Sequence, residues 1–290
     1  MFHVKQPESL SVPLSADARL ALDRRAVSRE FAGAYQRIGV ETTARFGRLY
    51  RLDGDAMAAE ADEFIIHESL VHMVALAHPA PRTAVILGGG DGASARELLK
   101  HPGLDGIAVA ELDPEVVRIV AAEIPTLPAG AFENPRVRLC LGDAGDTLRA
   151  LHAQGESFDL ILFDLTEPDD PACAHLHGAD FLRLCAASLT PDGLIHLQLG
   201  SPFYQPDKVR ALYRRLLGVF PWARPTLIDV PLYGGPWLLA AAGTASEAQP
   251  DAATLAVRLA ERGICGLRYY NPALHLARAA LPNYVRDILA

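Results

Sequence analysis

Hydrophobic positions along the chain follow two different rhythms. Before residue 60, the runs "AYQRIGVETT" and "FGRLYRLDG" place Tyr, Ile, Val, Thr and Leu at near two-residue spacing and end on Asp-Gly. That alternation predicts antiparallel strands and hairpins. In "DEFIIHESLVHMVALAHP" the spacing becomes helical, with Phe64, Leu70, Val71, Val74 and Ala75 on one side. A helix is predicted there, opening near Asp62 and closing before Pro79.

From Pro81 onward, apolar strands alternate with helices. The strands are "TAVILGGG", "GIAVAELDP", "RVRLCLGDA", "FDLILFDL" and "LIHLQLG", and "TLIDVPLY" and "PWLLAAAG" follow. Between them lie the helices "ASARELLKHP", "EVVRIVAAEI", "AGDTLRALHA", "ADFLRLCAASLTPDG" (stopped by its glycine) and "KVRALYRRLLGVF". Such alternation predicts an α/β protein with a doubly wound, mostly parallel sheet and antiparallel pairing near the C-terminal end. "GTASEAQPDAA" reads as a polar loop. The expected division is a small N-terminal β domain over residues 1–60 and a Rossmann-like α/β domain over 61–290.

Composition narrows the function. With 50% hydrophobic and 21% charged residues in 290, the chain is an ordinary globular one able to bury a sizeable core. A net charge of −8 argues against a nucleic-acid binder and is compatible with a cationic ligand. Cys140, Cys173, Cys185 and Cys265 form no C-x-x-C pair, so neither a metal site nor a disulfide framework is expected. The first twenty residues lack the apolar stretch of a signal peptide, and no run of about 18 apolar residues is present. A cytoplasmic protein with no membrane partner is the expectation.

In a doubly wound sheet, ligands bind at the carboxyl ends of the strands. "ILGGGDGAS" lies at such an end, and Gly88, Gly90 and Gly92 match G-x-G-x-G, which lets backbone approach a ligand. A tight strand-to-helix turn is the competing reading. Glu111 in "ELDP" stands about 20 residues beyond the loop, where an acid accepts hydrogen bonds from ribose hydroxyls, while Asp113 before Pro114 supplies the helix cap. Asp143 in "GDA" is offered to the amine of a base. Ser94 and Ala95 replace the third glycine of a dinucleotide fingerprint, so the pocket is of the Rossmann-like, S-adenosylmethionine-methyltransferase type. The stretch "FDLTEPDDPA" then sets four carboxylates at the end of the fourth strand.

Taken in order, these motifs resemble the spermidine synthase-like polyamine aminopropyltransferases. "DEFIIHESLVH" is similar to that family's D-E-F-x-Y-H-E signature, and "LGGGDGASARELLKHP" to its glycine motif. "ELDPEVV", "GDA", "FDLTEPDDPA" and "YYNPALHLARAALP" follow in family order. The resemblance implies transfer of an aminopropyl group from decarboxylated S-adenosylmethionine, a co-substrate, to a small-molecule amine, with methylthioadenosine released. It implies no tightly bound cofactor and a homodimer or homotetramer. It also implies that Gln36 touches the donor near its sulfur, Asp91 holds the propyl ammonium, Glu111 the ribose, and Asp143 with Ala144 the adenine. Asp164 aligns with the catalytic aspartate. His67, Glu167, Gln198 and Tyr233 align with acceptor-side positions; for Tyr233 a core-packed turn aromatic is the alternative.

The chemistry suits the residues independently. Decarboxylated donor has no carboxylate, so a carboxylate at Asp91 pairs with its ammonium where it would repel methionine's carboxylate. The sequence departs from the family at Ile66 (a tyrosine there), Met57 and Ala59 (glutamine and threonine), Glu167 (aspartate) and Asp170 (glycine). These changes cluster on the acceptor side, which predicts an acceptor other than simple putrescine, with Asp169 and Asp170 either reading a polycation or facing solvent. Glu68 and His72 are expected near the same entrance as His67, with solvent exposure the other reading for His72. Two other classes remain open: a small-molecule methyltransferase on the same fold, and a non-catalytic polyamine-binding paralogue.

Overall fold

The structure is a computed structural model that describes residues 9–165, 173–247 and 249–290. Alternating residues of the first 60 build two antiparallel sheets. One pairs β1 (Ser9–Pro13) with β2 (Arg19–Asp23); the other has the order β3 (Arg29–Ala32), β4 (Arg37–Thr43), β5 (Gly47–Leu52), β6 (Asp55–Ala59). Helix α1 (Glu63–Ala77) follows, with Asp62 at its N-cap position, as the spacing predicts.

The third sheet has seven strands in the order β12-β13-β11-β10-β7-β8-β9. These are β7 (Thr83–Gly88), β8 (Gly106–Glu111), β9 (Val137–Leu141), β10 (Phe158–Asp164), β11 (Leu189–Gly200), β12 (Trp222–Val230) and β13 (Gly235–Gly243). Strands β7 to β11 run parallel, and β12 and β13 pair antiparallel, as expected for the C-terminal end. The connecting helices are α2 (Ala93–Leu99), α3 (Pro114–Glu123), α4 (Ala144–Ala153), α5 (Ala179–Ser188) and α6 (Pro206–Leu217). Asp113 caps α3 by accepting the Glu115 N–H, with Pro114 at the first helical position. Strand order reverses between the parallel neighbours β7 and β10, with β8 and β9 added on one side and β11 on the other, which makes the crevice above these two strands the topological switch point.

Two readings of the pattern need correction. The helix over "ADFLRLCAASLTPDG" ends at Ser188, and Leu189 already pairs with Phe158 in β11. Pro191 lacks the N–H that a continuing helix needs, and the Thr190 hydroxyl bonds Asp159 at 2.8 Å, so Thr-Pro-Asp-Gly becomes an irregularity within the strand. The polar loop also ends sooner than expected: Asp251 caps a helix, α7 (Ala252–Glu261), and α8 (Pro272–Ala277) and α9 (Asn283–Leu289) follow.

Candidate active site

The glycine loop is where β7 meets β10. Asp164 pairs with Gly88 in the parallel register, and the Gly89 N–H donates to the Asp164 carbonyl at 2.9 Å. Gly88 has φ +81°, and a Cβ there would lie 2.2 Å from that carbonyl oxygen. Only glycine allows the two strand ends to approach this closely. Register therefore carries the Asp164 side chain to the loop that bears Asp91, across 73 residues of sequence.

Gly90 serves the neighbouring strand. Its N–H donates to Glu111 Oε2 at 2.9 Å, and a Cβ on it would fall 2.6 Å from the same oxygen. Glu111 also accepts the Asp113 N–H at 2.8 Å. Burial pushes the Glu111 carboxyl up to about 7 although both backbone bonds favour its ionised form. A carboxylate has about four lone-pair sites, so both oxygens retain capacity for ribose hydroxyls. Asp143 caps α4 through the Asp146 N–H and meets His175 Nε2 at 2.9 Å. Its carboxylate is thus fixed at the mouth of the pocket by its own helix.

One cavity of about 940 Å³ gathers this chemistry. Gln36, His67, Gly88, Gly90, Asp91, Glu111, Asp143, Ala144, Asp164, Gln198 and Tyr233 all line it. Glu167, Asp169 and Asp170 lie outside the described residues. Gln198 accepts the Trp237 indole N–H at 3.0 Å, and the Tyr233 hydroxyl donates to the Met57 carbonyl at 2.6 Å. Tyr233 is thus both a cavity wall and a packed aromatic, its ring 4.7 Å from that of Trp237. Among the described residues, eight carboxylates line the cavity against one lysine and one histidine: Asp17, Asp53, Asp55, Asp91, Glu111, Asp143, Asp164 and Asp207 against Lys208 and His67.

At its centre, His67, Asp91 and Asp164 each present one side-chain atom, all within 4.8 Å of one another. His67 Nε2 is 3.7 Å from Asp91 Oδ2, and its Nδ1 is 2.8 Å from the Glu63 carboxylate. Arg96 grips that carboxylate at 2.8 and 3.1 Å. Burial raises the Asp164 pKa, and Asp91 adds to the effect against the opposing charge of His67. Asp164 Oδ2 is buried, with no group among the described residues at hydrogen-bonding distance although the Ser94 hydroxyl acts on the same carboxyl, so it can accept from a cationic or proton-bearing group.

Sequence reasoning missed Tyr50, which lines the cavity and donates its hydroxyl to Asp91 Oδ2 at 3.2 Å. The two-residue alternation of "LYRLDG", which puts Tyr50 and Leu52 on one face, was the available signal. Trp237 and Leu165 were likewise missed. Other assignments are corrected. His72 is neither at the entrance nor in solvent: it is fully buried, 2.8 Å from Glu97 and 3.0 Å from His101. Glu68 also lies away from the cavity lining, because its carboxylate accepts the N–H groups of Arg268, Tyr269 and Tyr270 at 2.8 Å each and anchors the C-terminal "YYNP" segment. Ile66 stands outside the lining, in the apolar cluster against which Tyr233 and Trp237 pack.

Residues 63–250 match the Spermine/spermidine synthase domain. A polyamine aminopropyltransferase of Nitrosomonas europaea is 38% identical over 280 residues, covering 96% of this chain and 85% of the relative. Polyamine aminopropyltransferase 1 of Pseudomonas aeruginosa is 37% identical over 253 residues, 87% of each chain. Among solved structures, a spermidine synthase in complex with the transition state analogue AdoDATO superposes with a TM-score of 0.90 at 28% identity, covering 98% of this chain and 96% of its own. Spermidine synthase from Thermotoga maritima gives 0.88 at 29% identity, with 98% and 95% covered. With the motif order, the switch-point cavity and these likenesses in agreement, the chain belongs to the spermine/spermidine synthase family.

Proposed function

We infer that this protein is a polyamine aminopropyltransferase, moving an aminopropyl group from decarboxylated S-adenosylmethionine to a small amine and releasing methylthioadenosine. The observation that carries the reading is the convergence of Asp91, Asp164 and His67 beside the glycine loop. A donor without a carboxylate fits beside Asp91, whereas the carboxylate of S-adenosylmethionine would meet a buried like charge. That disfavours the methyltransferase alternative on the same fold.

In this reading Glu111 holds the ribose, and Asp143 with Ala144 faces the base. Gln36 lies toward the sulfur, and Asp91 takes the propyl ammonium. Asp164 accepts the proton of the attacking ammonium. The freed amine then bonds to the propyl carbon as the carbon–sulfur bond breaks, and the sulfur keeps that electron pair in methylthioadenosine. Gln198, Tyr233 and His67 line the acceptor side. Retention of Asp91, Glu111 and Asp164 together disfavours a non-catalytic paralogue. The eight-carboxylate lining favours a di- or polycationic acceptor, and Met57 in the wall supports one longer than putrescine. A homo-oligomer in the cytoplasm belongs to the same reading; among the described residues, no helix is long and apolar enough to cross a membrane.

Steady-state assays with the decarboxylated donor and a panel of di- and polyamines test this. Turnover with a longer or substituted amine is expected to exceed that with putrescine. Asp164→Asn is expected to lower kcat by about 100-fold or more, the usual cost of an essential proton acceptor. Turnover within a few-fold of the parent would remove Asp164 from the role, and clear preference for putrescine would remove the altered acceptor.

A further inference from the structure

Tyr50 brings a hydroxyl into the site from a part of the fold that the glycine-loop motifs do not touch. It sits in the middle of β5, paired with Val40 of β4 and Ala58 of β6. The register with β6 slips just after it, since Arg51 pairs with Ala56, which leaves Met57 as an extra residue on β6. Bulges of this kind bend a strand and re-aim its side chains. The Tyr50 ring is 6% exposed and packs with Ile38, Val40, Val116 and Ile119. Its hydroxyl therefore reaches the cavity on a rigid support.

That hydroxyl lies 3.2 Å from Asp91 Oδ2, the oxygen that also looks toward His67, while Oδ1 accepts the Ala93 N–H. Burial, with Asp91, Asp164, Tyr233 and Glu111 adding to it, pushes the Tyr50 pKa well above its ordinary value. The phenol therefore keeps its proton and donates it to Asp91. A hydroxyl that donates once still has two acceptor lone pairs. Tyr50 lines the cavity together with Asp91, so that capacity is offered to whatever pairs with Asp91.

The donor's arm ends in an ammonium, which carries three N–H groups and accepts nothing. In a buried site each N–H that finds no oxygen weakens binding. Asp91 Oδ2 supplies one oxygen. Because Oδ1 is held at the start of α2, a cation pairing with Asp91 approaches on the Oδ2 side, where the Tyr50 oxygen already stands. We propose that Tyr50 is a donor-binding residue, whose hydroxyl gives its hydrogen to Asp91 and accepts an N–H from the aminopropyl ammonium. Carboxylate and phenol then hold the arm together, one from the glycine loop and one from the N-terminal sheet. The inference rests on the aminopropyltransferase reading and adds to it a residue that fixes the end of the arm.

Three ligands separate the ammonium from the rest of the donor: decarboxylated S-adenosylmethionine, the same sulfonium with a plain propyl arm, and methylthioadenosine. In calorimetry, Tyr50→Phe is expected to weaken the first by about tenfold or more, the usual scale for a hydrogen bond to a charged group, and to leave the other two within about threefold. Tyr50→p-aminophenylalanine keeps an N–H for Asp91 but is a poor acceptor, because the aniline lone pair is delocalised into the ring. It is expected to bind all three ligands as Tyr50→Phe does. Recovery of parent affinity by this variant would mean that the hydroxyl acts only by steadying Asp91. Equal losses for the three ligands would mean packing alone. Either result overturns the inference, as does unchanged donor affinity in Tyr50→Phe. A crystal structure of the parent protein with the donor tests it whether or not the variants fold. The ammonium nitrogen is expected within about 3.2 Å of the Tyr50 oxygen, and a position out of hydrogen-bonding reach overturns the inference. A donor that fails to bind the parent while methylthioadenosine binds overturns the aminopropyltransferase reading instead, and the inference with it.

Discussion

At the residue scale, Asp91 divides its work between two oxygens. Oδ1 accepts the Ala93 N–H at 2.9 Å and starts α2, while Oδ2 takes the Tyr50 hydroxyl and faces His67. Asp91→Asn keeps an oxygen for the helix and the side-chain volume but removes the charge. Truncating one member of a buried charge pair costs about 2–5 kcal/mol. Donor binding is therefore expected to weaken by at least about 30-fold, while methylthioadenosine, which in the proposed reading is held by Glu111 and Asp143, stays within about threefold. Calorimetry with both ligands checks this, and equal losses would reduce Asp91 to a structural cap. The place of Asp91 in the cavity was legible because an acid in a glycine loop after a strand already points at a ligand. Tyr50 was not, because it reaches Asp91 only when a sheet 41 residues upstream folds over the loop. Nor was the burial of His72: the partners that make it tolerable, Glu97 and His101, sit on another helix and the turn after it.

At the element scale, α1 explains why so many polar residues occur in one apolar helix. It packs on α2, α7 and strands β10, β11 and β12, so almost its whole circumference is buried. Each polar side chain there must therefore be paired. Glu63 pairs with Arg96, Glu68 takes three backbone N–H groups, and His72 pairs with Glu97. Glu97 is the junction of α1 and α2, accepting His72 and Lys100 on one oxygen and Arg96 on the other. Burial acts to raise its pKa, but His72 and Lys100 outweigh it and hold the carboxyl down to about 2. Glu97→Gln is expected to cost about 3 kcal/mol at neutral pH, because it removes the buried carboxylate on which His72, Lys100 and Arg96 converge. A carboxylate depressed on folding stabilises the protein above its unfolded pKa and loses that contribution as pH falls through the folded one. The gap between parent and variant in urea unfolding is thus expected to hold at pH 7 and to close between about pH 4.5 and 2; a gap unchanged there would assign the loss to packing. Alternation over residues 81–243 made the sheet legible. The helices from Ala252 onward were not, since that stretch carries no strand alternation to frame it and is pinned through distant groups such as Glu68.

At the scale of the whole molecule, the change of rhythm at residue 60 does not mark a break in the core. Ile38, Val40 and Tyr50 of the N-terminal sheet share one apolar cluster with Val116, Ile119, Val120 and Ile124 around α3. Leu10, Val12 and Leu22 of the first hairpin pack with Leu232 from the far end of the chain. The cavity is shared in the same way, with Gln36, Tyr50 and Met57 forming walls over a floor of strand ends. Deleting the first 60 residues would expose the apolar face of α3 and remove one side of the site. We therefore expect a single cooperative unfolding transition, despite the two rhythms in the sequence. Tryptophan fluorescence reports on Trp222 and Trp237, both in the seven-stranded sheet, whereas far-ultraviolet circular dichroism reports on every element. Coincident midpoints by the two probes are expected. Methylthioadenosine at about 100 times its Kd should raise both by the same amount, equivalent to about 2.7 kcal/mol. If the N-terminal sheets unfolded first, dichroism would change before fluorescence, and ligand would delay the earlier step by holding the cavity wall in place. Separated midpoints would thus make the N-terminal sheets an independent lid, and coincident ones make them part of the same cooperative unit as the catalytic crevice.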